Sequence, residues 1–150
     1  AINGEAIKNA LIGNVGGCIG ETCAIALIIG GIYLLVKHVI SWRIPVVYIV
    51  VVFILTSIMR GYGVMGGVYE IFIGGLMLGA IFMATDYVTS PISAKGQIIF
   101  AVGCGLLTSL IRVYGGYPEG VSYSILIMNL AVPLIDRCTR PRIFGEVKAK

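Results

Sequence analysis

Gly13-Asn14-Val15-Gly16-Gly17-Cys18-Ile19-Gly20-Glu21-Thr22 is a glycine-rich turn that runs straight into the first long apolar segment of the chain. Glycine lets a backbone approach another surface with no Cβ in the way. A helix that starts in such a turn points its unpaired N–H groups, and the positive end of its dipole, at whatever lies above it. The turn therefore reads as the end of a membrane helix facing an anionic or flavin-like group, with Glu21 about one turn inside the segment. Close helix packing would also account for the glycines, and both readings stand at this level.

Outward from the turn, the chain divides into five apolar segments at about 15–40, 44–59, 64–84, 96–111 and 121–135. Each is apolar on all faces, which fits a membrane span better than an amphipathic surface helix. Composition agrees: 58% of the 150 residues are hydrophobic and 12% charged, and the mean hydropathy is +0.99. A soluble domain carries roughly 25% charged residues. The expected fold is an all-α integral membrane protein of five transmembrane helices, a single membrane domain over 1–150 with a tail at 136–150. Segments 44–59 and 96–111 each have roughly 16 residues, about 24 Å as helix, against a hydrocarbon core of about 30 Å. Some of the helices are therefore expected to be half-spans or broken helices, with ends buried in protein. The chain starts at Ala1 with no basic n-region, so it reads as a piece of a longer protein without a signal peptide.

Basic residues set the orientation. With five spans, Lys8, Arg60 and Arg112 fall on one side, whereas Lys37, Arg43, Lys95, Arg137, Arg140, Arg142, Lys148 and Lys150 fall on the other. The positive-inside rule puts the second group in the cytoplasm. The start of the chain is then outside and the basic tail inside, touching lipid rather than nucleic acid.

An internal repeat supports this layout. Leu55-Thr56-Ser57-Ile58-Met59-Arg60-Gly61-Tyr62-Gly63 and Leu107-Thr108-Ser109-Leu110-Ile111-Arg112-Val113-Tyr114-Gly115 share six of nine residues. Each is followed by a Gly-Val pair leading into the next segment, as expected of two helical hairpins in one orientation. Small residues four apart, at Gly13/Gly17, Gly16/Gly20, Gly63/Gly67 and Gly75/Gly79, predict close helix contacts.

Acids at membrane depth are costly and usually face protein or a water-filled path. Glu21, Glu70 and Asp86 could line a Na⁺ or proton route, or could sit at headgroup level beside a basic neighbour. Arg60 and Arg112 are expected to anchor at the interface or, alternatively, to clamp a phosphate. Cys18, Cys23, Cys104 and Cys138 form no C-x-x-C pair and His38 is the sole histidine. No metal site is expected from this chain alone; the cysteines read as apolar fillers and His38 as an interfacial anchor. Neither a nucleophile–base pair nor G-x-S-x-G, a P-loop or G-x-G-x-x-G is present, so no hydrolytic or nucleotide-binding chemistry is supported.

The glycine turn, together with Gly115-Gly116-Tyr117-Pro118-Glu119-Gly120-Val121-Ser122-Tyr123-Ser124 and Asp136-Arg137-Cys138-Thr139-Arg140-Pro141-Arg142-Ile143-Phe144-Gly145, resembles the RnfD family of the Rnf electron-transport complexes and the related NqrB family of the Na⁺-translocating NADH:quinone reductases. The resemblance covers essentially the whole chain. It implies the second of two inverted five-helix repeats, similar to urea transporters, in a prokaryotic cell membrane. It also implies a subunit, not catalytic alone, of a ferredoxin:NAD⁺ oxidoreductase complex that couples electron transfer to Na⁺ or H⁺ translocation. Partners would be the other membrane and flavin or iron–sulfur subunits.

The implied cofactor is FMN esterified to a threonine in a Ser-Gly-Ala-Thr-like motif, with riboflavin as a second candidate. That motif is not in this chain; Phe82-Met83-Ala84-Thr85 shares only its last two residues and lies on the inner side. The flavin threonine is therefore expected upstream, with Asn14, Gly16, Gly17, Gly20, Glu21 and Thr22 near the flavin. A small-solute channel and a purely structural membrane anchor are the competing readings.

Overall fold

The computed structural model describes residues 7–9, 12–13, 23–61, 63–116 and 120–139. Among them the chain is helical and contains no strand, as expected of an all-α membrane protein. We label the helices α1 (Ala24–Val36), α2 (Arg43–Arg60), α3 (Gly63–Phe72), α4 (Leu76–Met83), α5 (Ala94–Tyr114) and α6 (Gly120–Thr139).

Helices α2, α5 and α6 are each long and apolar enough to cross a membrane. Taken together, α3 and α4 are also long and apolar enough, but the pair is bent by 67° at a short break, the geometry of a broken span or a re-entrant loop. Helix α1 has 13 described residues, about 20 Å; residues 15–22 of the predicted first span lie outside the described residues.

The helix that breaks is neither 44–59 nor 96–111. Segment 96–111 extends to the 21 residues of α5, about 31 Å, and segment 44–59 to the 18 residues of α2, about 27 Å. Counting only apolar residues leaves out Arg43, Arg60, Lys95 and Arg112, all of which are helical. The broken helix is instead 64–84, which read as one continuous span. Helix α6 runs through Pro133 to Thr139, into the stretch read as tail.

Local chemistry explains the helix ends. Pro45 sits in the first turn of α2, where its missing N–H costs no hydrogen bond. Ser93 caps α5 by accepting from the Gly96 amide at 3.0 Å. The second half of α4, Gly79–Met83, is a π-turn closed by the Ala84 amide on the Gly79 carbonyl at 2.7 Å.

Side-chain contacts give the topology. Ser41, just before α2, donates to Gln97 in the first turn of α5 at 3.2 Å. At the far ends Arg60 donates to the Arg112 carbonyl at 2.9 Å. The two repeat-bearing helices therefore run parallel. Ser93 donates to Thr139 at 2.6 Å, so α6 returns antiparallel to α5. Arg43, Lys95 and Arg137 consequently share one end of the bundle and Arg60 and Arg112 the other.

The core is built from Ile44, Tyr48 and Val52 of α2, Leu76 and Ala80 of α4, Phe100, Ala101 and Cys104 of α5, and Val121 and Ile125 of α6. Helix α5 is the most buried of the long helices. A Cβ on Gly105 would come within 2.6 Å of Val51 Cγ1, so α5 and α2 meet backbone to side chain, as small residues allow in membranes. Of the predicted small-residue pairs, Gly67 faces Ser57 and Phe53, and Gly79 faces Val121; Gly63 has open space around it. Spacing alone did not distinguish the contact glycines from the others.

Candidate functional site

The break between α3 and α4 falls at Ile73-Gly74-Gly75. Gly74 and Gly75 both adopt φ 69°, a left-handed conformation that glycine enters without a Cβ penalty. Ending α3 there leaves backbone carbonyls without intrahelical N–H partners at the negative end of the helix dipole.

Arg112 meets those carbonyls. Its side chain is 1% exposed. Nη1 donates to the Glu70 carbonyl at 2.7 Å, and Nη2 donates to those of Ile73 at 2.9 Å and Gly74 at 2.8 Å. Nη1 also lies 3.5 Å from Glu70 Oε2. The other carboxylate oxygen, Oε1, is 2.8 Å from Arg60 Nη1. Glu70 thus lies between the two arginines of the repeat, and Arg60 in turn caps the Arg112 carbonyl near the end of α5. Among the described residues, two guanidinium groups face this carboxylate, and the carbonyl dipoles add negative potential. The fixed fork of arginine donors suits such a multi-oxygen target better than a point-charge lysine would.

Deeper in the bundle lies a buried hydroxyl cluster. Tyr48 Oη is 2.6 Å from Thr108 Oγ1 and 3.0 Å from Ser124 Oγ, and Thr108 and Ser124 are 2.6 Å apart. Ser124 also reaches the Val121 carbonyl at 2.8 Å. The cluster joins α2, α5 and α6, and all three residues are fully buried. In an apolar medium each hydroxyl needs a partner, and here each finds at least two.

At the opposite end, Asp86 follows α4. Its Oδ2 accepts from Thr89 at 3.1 Å, and its carbonyl accepts from the Ser90 amide at 3.1 Å. Asp136 Oδ1 accepts from the Ile92 amide at 3.3 Å. Two cavities open beside this loop. One, of about 340 Å³, is lined by His38, Ser41, Trp42, Thr85, Tyr87 and Gln97; the other, of about 400 Å³, reaches Pro91, Val132 and Asp136. Thr85 is 8% exposed and donates its hydroxyl to the Ile81 carbonyl.

The residues expected near a flavin, Asn14, Gly16, Gly17, Gly20, Glu21 and Thr22, lie outside the described residues. Gly13, at the edge of that turn, holds φ 94°, which fits a backbone bent without side chains. Of the expected ion-path acids, Glu70 sits at the elbow and Asp86 at the other end of the same bent helix pair. Among the described residues no three His, Cys, Asp or Glu side chains come together. Cys104 is a buried filler, whereas Cys138 is exposed.

One of the two arginines requires a correction. Arg112 is enclosed at the elbow rather than placed as an interfacial anchor, its guanidinium meeting Glu70 and backbone carbonyls. Arg60, a third exposed at the end of α2, bonds Glu70 and the Arg112 carbonyl from a place that an interfacial residue also takes. The Gly74-Gly75 pair inside an apolar run was the available signal for the break. Nothing in the sequence pointed to the hydroxyl cluster.

Comparison with known proteins gives a consistent result. The profile of the NQR2, RnfD, RnfE family matches residues 2–145. The D subunit of the Na⁺-translocating ferredoxin:NAD⁺ oxidoreductase complex of Acetobacterium woodii is 55% identical over 139 residues, covering 93% of this chain and 42% of that protein. The D subunit of the proton-translocating ferredoxin:NAD⁺ oxidoreductase complex of Clostridium ljungdahlii is 54% identical over 145 residues, 95% of this chain and 44% of that protein. The D subunit of an ion-translocating oxidoreductase complex from Stutzerimonas stutzeri is 44% identical over 144 residues, 94% and 41% respectively. The chain spans less than half the length of these relatives.

Proposed function

The chain belongs to the NQR2, RnfD, RnfE family, and on that premise we propose that it forms part of a membrane subunit of an ion-translocating ferredoxin:NAD⁺ oxidoreductase complex. The observation that carries this reading is the match to these relatives along nearly the whole chain. The relatives differ in the ion they are named for, and the reading takes Na⁺ or H⁺ alike. The subunit works with other members of the complex and is not catalytic alone.

Within the subunit we assign a flavin, FMN or riboflavin, to the side of the bundle where the Asn14-to-Thr22 turn begins. The FMN-bearing threonine would lie upstream of Ala1. A flavin there supplies one- and two-electron transfer; the protein supplies its position and potential. Asn14, Glu21 and Thr22 would offer polar contacts, and Gly16, Gly17 and Gly20 the close backbone approach. Ion movement is assigned to the broken span between Glu70 and Asp86, with Glu21 beside it. Discontinuous helices suit such a route because their freed backbone groups line a path inside protein.

The end carrying Arg43, Lys95 and Arg137 is assigned to the cytoplasm of a prokaryotic cell by the positive-inside rule. The start of this chain is then outside.

Denaturing gels of the full-length subunit test the flavin: ultraviolet fluorescence that stays with the band is expected, and a dark band rejects covalent attachment. In the intact complex, Asn14→Ala and Glu21→Gln should change flavin content or redox potential; unchanged values remove those residues from the site. Asp86→Asn should lower ion uptake by inverted vesicles during ferredoxin-driven NAD⁺ reduction, with electron transfer retained. The broken span also suits a small-solute channel. Colourless protein that passes solute in liposomes would favour that alternative.

A further inference from the structure

The elbow presents four oxygens to one cation: the carbonyls of Glu70, Ile73 and Gly74 and the Glu70 carboxylate. Carbonyls at the end of a half-helix, joined by a carboxylate, form an all-oxygen donor set of the kind that binds hard cations. Here the cation is the guanidinium of Arg112, delivered from a neighbouring helix and nearly sealed from solvent. We propose that the elbow is a monovalent-cation site whose resident is the protein's own Arg112, so that neutralising this side chain opens the site to a free cation.

Three observations carry the inference. First, the guanidinium is spread over carbonyls of three residues as well as the carboxylate. Its main task is thus to answer the negative end of α3 rather than to neutralise Glu70. Second, Glu70 keeps a closer partner in Arg60, at 2.8 Å against 3.5 Å to Arg112. Losing Arg112 therefore leaves uncompensated carbonyl oxygen more than an unpaired carboxylate. Third, the space a truncated Arg112 would vacate is buried and lined by oxygen, a setting in which an unmet charge or dipole is costly. A free cation small enough to enter should be bound there. The cage belongs to the fold itself and does not depend on whether the subunit carries a flavin.

The test uses the full-length subunit, upstream residues included, carrying Arg112→Ala, Arg112→Gln or Arg112→Lys. Thermal unfolding is followed in Na⁺, guanidinium or choline chloride at matched ionic strength. Arg112→Ala should lower the Tm by roughly 10 °C. Millimolar guanidinium or Na⁺, but not choline, should restore at least half of that loss, with radiolabelled Na⁺ binding gained over wild type. Arg112→Lys, which keeps a cation, should gain no Na⁺ binding. If Arg112→Ala does not fold, Arg112→Gln decides, since it keeps amide donors without charge. A lowered Tm that responds to Na⁺ or guanidinium supports the site. A lowered Tm that neither Na⁺ nor guanidinium restores, a wild-type Tm in Arg112→Gln, or equal stabilisation of Arg112→Ala by choline overturns it.

Discussion

The two copies of the nine-residue repeat make the same chemistry do different work. Arg60 and Arg112 occupy equivalent places at the ends of parallel helices, yet their side chains are 33% and 1% exposed. Thr56 donates to its own helix, at the Val52 carbonyl, whereas Thr108 joins Tyr48 and Ser124 across helices. Ser109 donates to the Gly105 carbonyl, whereas Ser57 Oγ is buried with no partner among the described residues. Helix α5 lies between α2 and α6 and faces the elbow, so its copy is surrounded. The α2 copy has one flank open. Residue identity sets which bonds a group can make, and the neighbours set which it does make.

That contrast can be broken most decisively at the arginines. Arg112→Met should destabilise the full-length subunit by about 3–5 kcal/mol, the usual cost of breaking a buried charge cluster. Arg60→Met should cost about 1 kcal/mol, because the pair is part-exposed. Equal losses in thermal unfolding would mean that burial does not separate the two copies. Next in size is Gly105→Ala, whose added methyl meets Val51 and the Tyr48 carbonyl; overpacking of this kind costs about 1–3 kcal/mol. Gly63→Ala meets no neighbouring atoms, but Gly63 adopts φ 64°, so its cost should be limited to backbone strain of about 1 kcal/mol. The pair separates clash from conformational strain.

The threonines sharpen the comparison at lower amplitude. Thr108→Val removes two interhelical contacts and should cost about 1 kcal/mol, within the range for side-chain hydrogen bonds between membrane helices. Thr56→Val removes only a bond to its own turn and should change stability by less than about 0.5 kcal/mol. The serines give the smallest effect. Ser57→Ala should be neutral or slightly stabilising, since its hydroxyl is buried unpaired, while Ser109→Ala should cost about 0.5 kcal/mol. A larger loss at Ser57 than at Ser109 would show that Ser57 has a partner in the full-length protein.

Much of the bundle is legible in the sequence. The apolar segments over α2, α5 and α6, the charged ends and the parallel running of the two repeat helices all follow from hydropathy and a nine-residue match. Sequence reasoning fails where apolar counting stands in for helix length, at segments 44–59 and 96–111. The helices run on through the terminal Arg and Lys residues; Arg60 and Arg112 reach polar groups with their long side chains while the backbone stays helical. The break at Gly74-Gly75 is visible as a glycine pair but reads as packing. The expected flavin turn at 14–22 rests on the glycine pattern and the family resemblance alone.

By itself the sequence determined that this chain leaves water for a membrane, and that its basic residues divide unequally between the two ends of the bundle. Transfer of apolar residues out of water is a sum over composition and needs no knowledge of neighbours. Only the tertiary structure decided that Arg112 is enclosed by backbone oxygen and that Glu70 is held between two arginines. It also decided that three hydroxyls meet between α2, α5 and α6. Each of those depends on groups tens of residues apart being brought within hydrogen-bond distance, where low dielectric makes a charge or hydroxyl either well satisfied or prohibitively costly.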